Sequence, residues 1–357
     1  MGWHRAVDSE YGSLLYYTHR NYLDSIPILS NRAVQNFKIS GFTQSLTSAL
    51  VYGKIMPGWD IEFRSEDLGS GGVILYFDQD GHAVTQPDAT QNRFFIALNV
   101  LPGYRFLKLR SLRGEGEGSV AVPALSDTKT YVDLTHISAE GTVSGTLYDE
   151  DPDEKGQVWP LGGSVVRILG QPHARMTTDL EGKFQFVKNV VVTGYPFFLE
   201  SNKEVESPDG RVTYPGFVHR YEVNFEQNLE GLKLFRVPNK KITENWLAQL
   251  DGLSAETGLV VAVGGEAIEQ FSDRVLFPTI RSLSSTSKLV PKAYTLSAGG
   301  QLLKTSLHPG QDQFIGVEVE GPTLVGVEDA ERVLVWGRLT YASPRVVTVV
   351  TQSNLPF

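Results

Sequence analysis

Thr177-Thr178-Asp179-Leu180-Glu181-Gly182-Lys183-Phe184-Gln185-Phe186 is the stretch whose reading decides the fold. Asp179 and Gly182 supply turn chemistry. The residues after Gly182 alternate polar and apolar, which puts Phe184 and Phe186 on one face of a strand. The segment therefore reads as a hairpin that opens on a polar turn and runs on into a half-buried strand. Pro160-Leu161-Gly162-Gly163-Ser164-Val165-Val166 lies upstream of it, and Asn189-Val190 and Gly194-Tyr195 lie downstream.

The same order recurs along the chain. Phe95-Ile96-Ala97-Leu98-Asn99-Val100, then Pro102-Gly103-Tyr104-Arg105-Phe106-Leu107, repeats the strand, turn and return strand about 90 residues earlier, one module length. In the later copy the return strand is Tyr195-Pro196-Phe197-Phe198-Leu199, whose proline favours an edge position. Phe314-Ile315-Gly316-Val317-Glu318-Val319, then Gly321-Pro322-Thr323-Leu324-Val325, is a fainter echo with Pro and Gly transposed. Its upstream turn, Pro309-Gly310-Gln311-Asp312, lacks the Thr-Asp-x-x-Gly order. A third copy and a coincidence between β-rich segments both remain open at this level.

Around these copies the pattern stays β. Residues 48–55 and 59–64 read as strands, the second alternating with period two. Gly69-Ser70-Gly71-Gly72 reads as a flexible turn, and Val73-Ile74-Leu75-Tyr76-Phe77 as a strand apolar on both faces. Residues 259–263, 332–336 and 345–350 are further strands. Residues 242–253 are the best helical candidate, with Thr243 as N-cap and Trp246, Leu247 and Leu250 on one face. Residues 11–23 are aromatic-rich and suit a short helix or a strand.

Residues 138–200 resemble a carboxypeptidase regulatory-like (transthyretin-like) β-sandwich domain. The resemblance is carried by Gly141-Thr142-Val143-Ser144-Gly145, Pro160-Leu161-Gly162-Gly163-Ser164-Val165, and Thr178-Asp179 with Gly182 and Phe184-Gln185-Phe186. Gly163-Ser164 stands where the family prefers Gly-Ala, and the acidic insertion 149–157 lengthens the first loop. The resemblance implies scaffold or binding modules without catalytic residues, and an exported protein of the extracellular space or cell envelope. Such motifs specify a fold far better than a function.

The expected architecture is all-β: tandem Ig-like/transthyretin-like sandwiches with one short helix. Residues 1–40 form an N-terminal extension that packs on the first domain. Residues 41–137 form a transthyretin-like sandwich and 138–237 the carboxypeptidase regulatory-like one. Residues 238–357 form a β-rich third domain, a divergent sandwich if the third copy holds.

Composition narrows the chemistry. The 357 residues carry a net charge of −9, which argues against nonspecific nucleic-acid binding. There is no cysteine, so disulfides, thiolate metal sites and cysteine nucleophiles are excluded. No apolar run approaches the roughly 20 residues of a membrane span. The seven histidines form no His-Glu-x-x-His pattern. No Gly-x-Ser-x-Gly elbow occurs, and no pair of carboxylates is singled out for glycosidase chemistry.

Two sets of residues are candidates for binding. Asp149, Asp151 and Asp153 sit in the densest acidic run and offer carboxylates for calcium, although their spacing is not that of an EF-hand; a solvated loop is the competing reading. Trp159, Tyr214, Phe217 and Tyr221 are aromatics suited to stacking on sugars or anchoring a protein partner. The leading expectation is a non-enzymatic cell-surface structural or adhesion protein that self-associates by strand addition. A carbohydrate-binding accessory module and a hydrolase with an unrecognised site are the alternatives.

Overall fold

The structure, a computed structural model, describes residues 2–8, 12–18, 27–30, 41–77, 82–84, 87–88, 90–91, 93–150, 158–202, 218–223, 228–236, 249, 258–263, 274–283, 289–296, 301–307, 313–343 and 346–351. These residues are all-β. A hairpin of β1 (Gly2–Asp8) and β2 (Gly12–Thr18) comes first. The first module holds β3 (Ala49–Ile55), β4 (Trp59–Glu62), β5 (Leu68–Phe77), β6 (Ala83–Val84), β7 (Arg93–Val100), β8 (Gly103–Ser111), β9 (Glu117–Ala124) and β10 (Thr128–Leu134). The second holds β11 (Ser138–Glu150), β12 (Val158–Pro160), β13 (Val165–Ile168), β14 (Arg175–Thr177), β15 (Lys183–Val192), β16 (Phe197–Asn202), β17 (Val218–Val223) and β18 (Asn228–Arg236). The third holds β19 (Gly258–Val263), β20 (Phe277–Ser282), β21 (Lys292–Leu296), β22 (Leu302–Leu303), β23 (Gln313–Val319), β24 (Gly321–Glu328), β25 (Leu334–Ala342) and β26 (Val346–Thr351). A 3-10 turn, Ser65–Asp67, interrupts the first module. Of the expected helix at 242–253, only Gln249 is among the described residues.

One strand plan is used three times. In each module the first strand pairs in parallel with the last: β3 with β10, β11 with β18, β19 with β26. The first strand also lies beside the fifth, as β3 with β7, β11 with β15 and β19 with β23. The chain then arches to the opposite sheet, so β8, β16 and β24 are each the centre of a second antiparallel set. Those sets are β4-β8-β9, β13-β16-β17 and β20-β24-β25. The third module matches the first strand for strand, down to the short β22 that stands where β6 does. The faint echo at Phe314 is thus a copy of the strand plan.

The repeated motif marks the arch between sheets, where the backbone must turn sharply. Asn99 and Glu318 take φ of 54° and 58° at the ends of β7 and β23. Asparagine tolerates this conformation because its short polar side chain bonds locally. Asn99 Oδ1 accepts from Ser45 N–H at 2.7 Å, and Nδ2 donates to Thr43 O at 2.7 Å. Gly182, at φ 71°, closes the opening turn; a Cβ there would sit 2.5 Å from Leu147 O. The expected turn at 69–72 belongs instead to β5. Its pairing with β7 jumps from Leu68↔Val100 to Val73↔Leu98, so the glycines form a bulged strand.

The chain divides into two compact units. One is Met1–Gly141 with Lys188–Pro196 and Phe225–Gln227; the other is Thr142–Val187, Phe197–Asn224 and Asn228–Phe357. The first module and its hairpin thus lie in the first unit. There Tyr195 Oη accepts a hydrogen bond from Asp133 N–H at 2.6 Å. Position 238, the expected start of a third domain, lies inside the second unit.

In the first unit the expected N-terminal extension supplies part of the packing. Strand β2 adds in parallel to β10. The sheet centred on β3 is apolar on both sides, with β3 buried at every position except Lys54. Leu14, Leu50, Tyr52, Leu75, Ile96, Leu98 and Tyr131 cluster together, and Tyr16, Leu29 and Phe42 pack against them. Tyr52 Oη donates to Pro27 O at 2.8 Å, and Lys129 Nζ donates to Leu29 O at 2.7 Å. Residues 27–30 are tied to the sheet by these two side chains.

Burial holds the Lys129 ammonium below the usual lysine range, with Asp127 opposing the shift. The unfolded chain therefore holds this proton to higher pH than the folded one does. Between the lowered folded value and the unfolded value near 10.4, stability contributed by Lys129 rises with pH. In thermal melts from pH 8 to 10.5, the melting temperature of wild type relative to Lys129→Met is expected to rise with pH. A difference that is flat or falls with pH contradicts this.

Candidate functional site

The expected site residues do not converge. Asp151, Asp153, Tyr214 and Phe217 lie outside the described residues. Asp149 lies on β11, its backbone opposite Trp159 on one side and Arg236 on the other. No group of three or more His, Asp or Glu able to hold a metal occurs among the described residues. Trp159 is half-exposed, at 50%. Tyr221 corrects the expectation of an exposed binding aromatic: it is 0% exposed. Its position on β17, between Leu199 of β16 and Val349 of β26, puts it in a central strand of a sheet and closes it to ligands.

The polar residues that do converge lie within the second unit. Strand β26 pairs in parallel with both β19 and β17. That double pairing fuses the second and third modules into a nine-stranded sheet, β14-β13-β16-β17-β26-β19-β23-β21-β22. Register sets Arg167 opposite Glu200, Glu200 opposite Arg220, and Arg220 opposite Thr348. Period-two alternation keeps such a row on one face.

Glu200 is the centre of this row. Its Oε2 accepts from Arg167 Nε and Nη2 at 2.9 and 2.6 Å. Its Oε1 accepts from Arg220 Nε and Nη2 at 2.9 and 2.8 Å. Arg220 Nη1 reaches Tyr341 O at 3.3 Å and Ser343 Oγ at 3.1 Å, both in the third module. The guanidinium lies over the rings of Phe198 and Tyr341 at 5.6 and 5.5 Å, a cation–π geometry. Arg338 Nε of β25 donates to Glu222 Oε1 of β17 at 3.0 Å. Glu200 and Arg220 side chains are 3% and 6% exposed, so the pair is a joint between modules and offers no opening to substrate.

A second feature is open to solvent. A groove of about 460 Å³ is lined by Ser144, Thr146, Met176, Asp179, Lys183 and Gln185, among others. It borders β15. In the first and third modules the fifth strand carries a further strand on its outer edge, β5 on β7 and β21 on β23. In the second module neither β13 nor β14 takes that place, since β13 pairs with β16 and β14 with β13. Strand β15 is therefore the last of its sheet on that side among the described strands. Gln185 N–H on that edge donates to Met176 Sδ at 3.0 Å, a weak acceptor standing where a carbonyl oxygen would serve.

Sequence reading missed both features. The ladder had a signal: Glu200 follows Phe197-Phe198-Leu199 and Arg220 precedes Tyr221, so each charge adjoins large apolar residues within a strand, and buried charges demand partners. The open edge had none, because only pairing shows which sheet β14 joins.

No protein-family model matches this chain, and no curated protein matches it. Among solved structures it is similar to the TIE protein of Bacillus anthracis, at TM-score 0.21 and 10% identity, over 85% of this chain and 50% of that one. This chain thus spans half the length of that protein. It is also similar to domains 5–6 of the S-layer protein SbsC, at TM-score 0.13 and 8% identity, over 84% and 83% of the two chains. The N-terminal four Ig domains of Dscam1 match at TM-score 0.10 and 10% identity, over 86% and 73%. Likeness this faint carries no argument, and the fold rests on the strand pairing itself. Among the described residues no helix is long and apolar enough to cross a membrane.

Removing Arg220 would leave Glu200 buried with only Arg167, whose side chain is 52% exposed. Breaking a buried pair on one side typically costs about 3–5 kcal/mol. Arg220→Ala is expected to destabilise the second unit by that order in urea unfolding, with Arg167→Ala costing clearly less. Equal losses would show that Arg220 holds no special place in the joint.

Proposed function

We propose that this chain is a non-enzymatic structural or adhesion protein of the cell surface or extracellular space, built from tandem carboxypeptidase regulatory-like sandwiches. The observation that carries the reading is the strand plan used three times, with two copies fused through β26 into one sheet. Repetition of a frame joined by backbone hydrogen bonds suits a protein whose task is to span and to hold. The polar residues brought together bind one module to the next. In the resembled family such modules serve as scaffold or binding surface, which accords with this assignment.

Beads coated with the chain are expected to cluster with one another or to adhere to a panel of matrix glycoproteins. Beads that do neither overturn the reading.

A second reading, glycan binding, is favoured by the half-exposed ring of Trp159. An exposed indole is suited to stacking on a sugar face. Retention on a glycan array that Trp159→Ala abolishes supports it, and an array without a hit removes it.

A further inference from the structure

We infer that the outer edge of β15 in the second module is an acceptor for a β-strand, and that its occupant is β1 of a second copy of this chain. The inference rests on the structural or adhesive reading above and names the contact by which copies join. Three observations carry it. First, the equivalent edge is occupied in both sister modules, by β5 on β7 and by β21 on β23. The second module keeps the pairings of first with fifth and first with last strand but leaves that position empty among the described strands, because β12 adds to β11 and β14 to β13.

Second, the edge is chemically ready. Asp179 N–H donates to Lys183 O, and Lys183 N–H donates to Asp179 Oδ1, so Lys183 turns its backbone groups outward. Alternation then turns those of Gln185 and Val187 outward too. Gln185 N–H spends its hydrogen on a thioether. Val187 is 53% exposed two residues on, and the groove of about 460 Å³, which lies over β11 and β15, reaches this edge at Lys183, Gln185 and Met176. An unpaired edge of this kind is a template for strand addition.

Third, the chain carries a donor. Strand β1 is the terminal strand of the seven-stranded sheet, bonded on one side to β2 and to no strand on the other among those described. Ala6 and Val7 on it are exposed, Val7 at 73%. The chain already extends one sheet by this means, since β2 of the same hairpin adds to β10. Pairing β1 of one copy with β15 of the next is heterologous, which makes the assembly open-ended unless it closes into a ring.

Light scattering after size exclusion over a range of concentrations tests this. The full chain is expected to exceed its monomer mass of 39.4 kDa as concentration rises. Gln185→Pro removes the outward N–H, and proline is tolerated on the free side of an edge strand. That variant, and deletion of residues 2–8, are expected to raise the concentration for half-association more than tenfold. Mixed together, they should form a 1:1 complex that grows no further, because one keeps the donor and the other the acceptor. A full chain monomeric throughout, association untouched by Gln185→Pro, or a mixture that stays monomeric each overturns the inference. Val187→Pro serves in its place if thermal melts show Gln185→Pro unfolded. Beads coated with Gln185→Pro that still cluster would sink the strand contact and leave the adhesive reading standing.

Discussion

The parallel pairing of first and last strands is the constraint on which the rest of this structure depends. It brings the two ends of each module together, so the intervening strands must form two facing layers. Parallel neighbours cannot be joined by a tight turn. The chain has to travel through the whole sandwich before it returns. Close approach is enforced by glycine where the strands meet. A Cβ on Gly53 would lie 1.7 Å from Val132 O, and one on Gly145 would lie 2.5 Å from Leu232 O. The glycine at the end of the Gly-x-Val-x-Gly motif therefore has a packing reason, which explains why such a motif reports fold and says little about activity.

The same pairing rule extends past the module. Strand β10 accepts β2, and β26 accepts β17, each in parallel. The last strand of a module is used as a joining edge in both cases. The Arg167–Glu200–Arg220 row then locks the second of these joints with charge. Its value lies in position: a carboxylate bonded on both oxygens by two guanidinium groups accepts few other arrangements. Desolvation offsets much of its Coulomb energy, so its contribution lies in orientation.

Much of the architecture was legible in residue order. Alternation around Phe184 and Phe186, the Asp-x-x-Gly turn, and the recurrence at Phe95 marked strands, arches and module length. Gly69-Ser70-Gly71-Gly72 misled, because a bulged strand and a flexible turn share one composition. The unit division was also hidden. Nothing in the linear order says that residues 346–351 lie between residues of the second and third modules. Of the candidate binding residues, Tyr221 shows why residue type is insufficient: an aromatic suits stacking on a ligand, yet this one lies in a central strand of the sheet and is buried.

By itself the sequence determined the local grammar: which segments extend, where the backbone reverses, and that one frame repeats. Those properties depend on neighbours a few residues apart, through side-chain alternation and the special φ of glycine and asparagine. Only the tertiary structure decided which edges meet. It placed β14 on β13, left β15 with no outer neighbour among the described strands, set β26 between β17 and β19, and gathered three charged residues from three strands into one row. Backbone edges are chemically alike in every strand. Their partners are therefore chosen by packing across the whole module, and no local pattern records that choice.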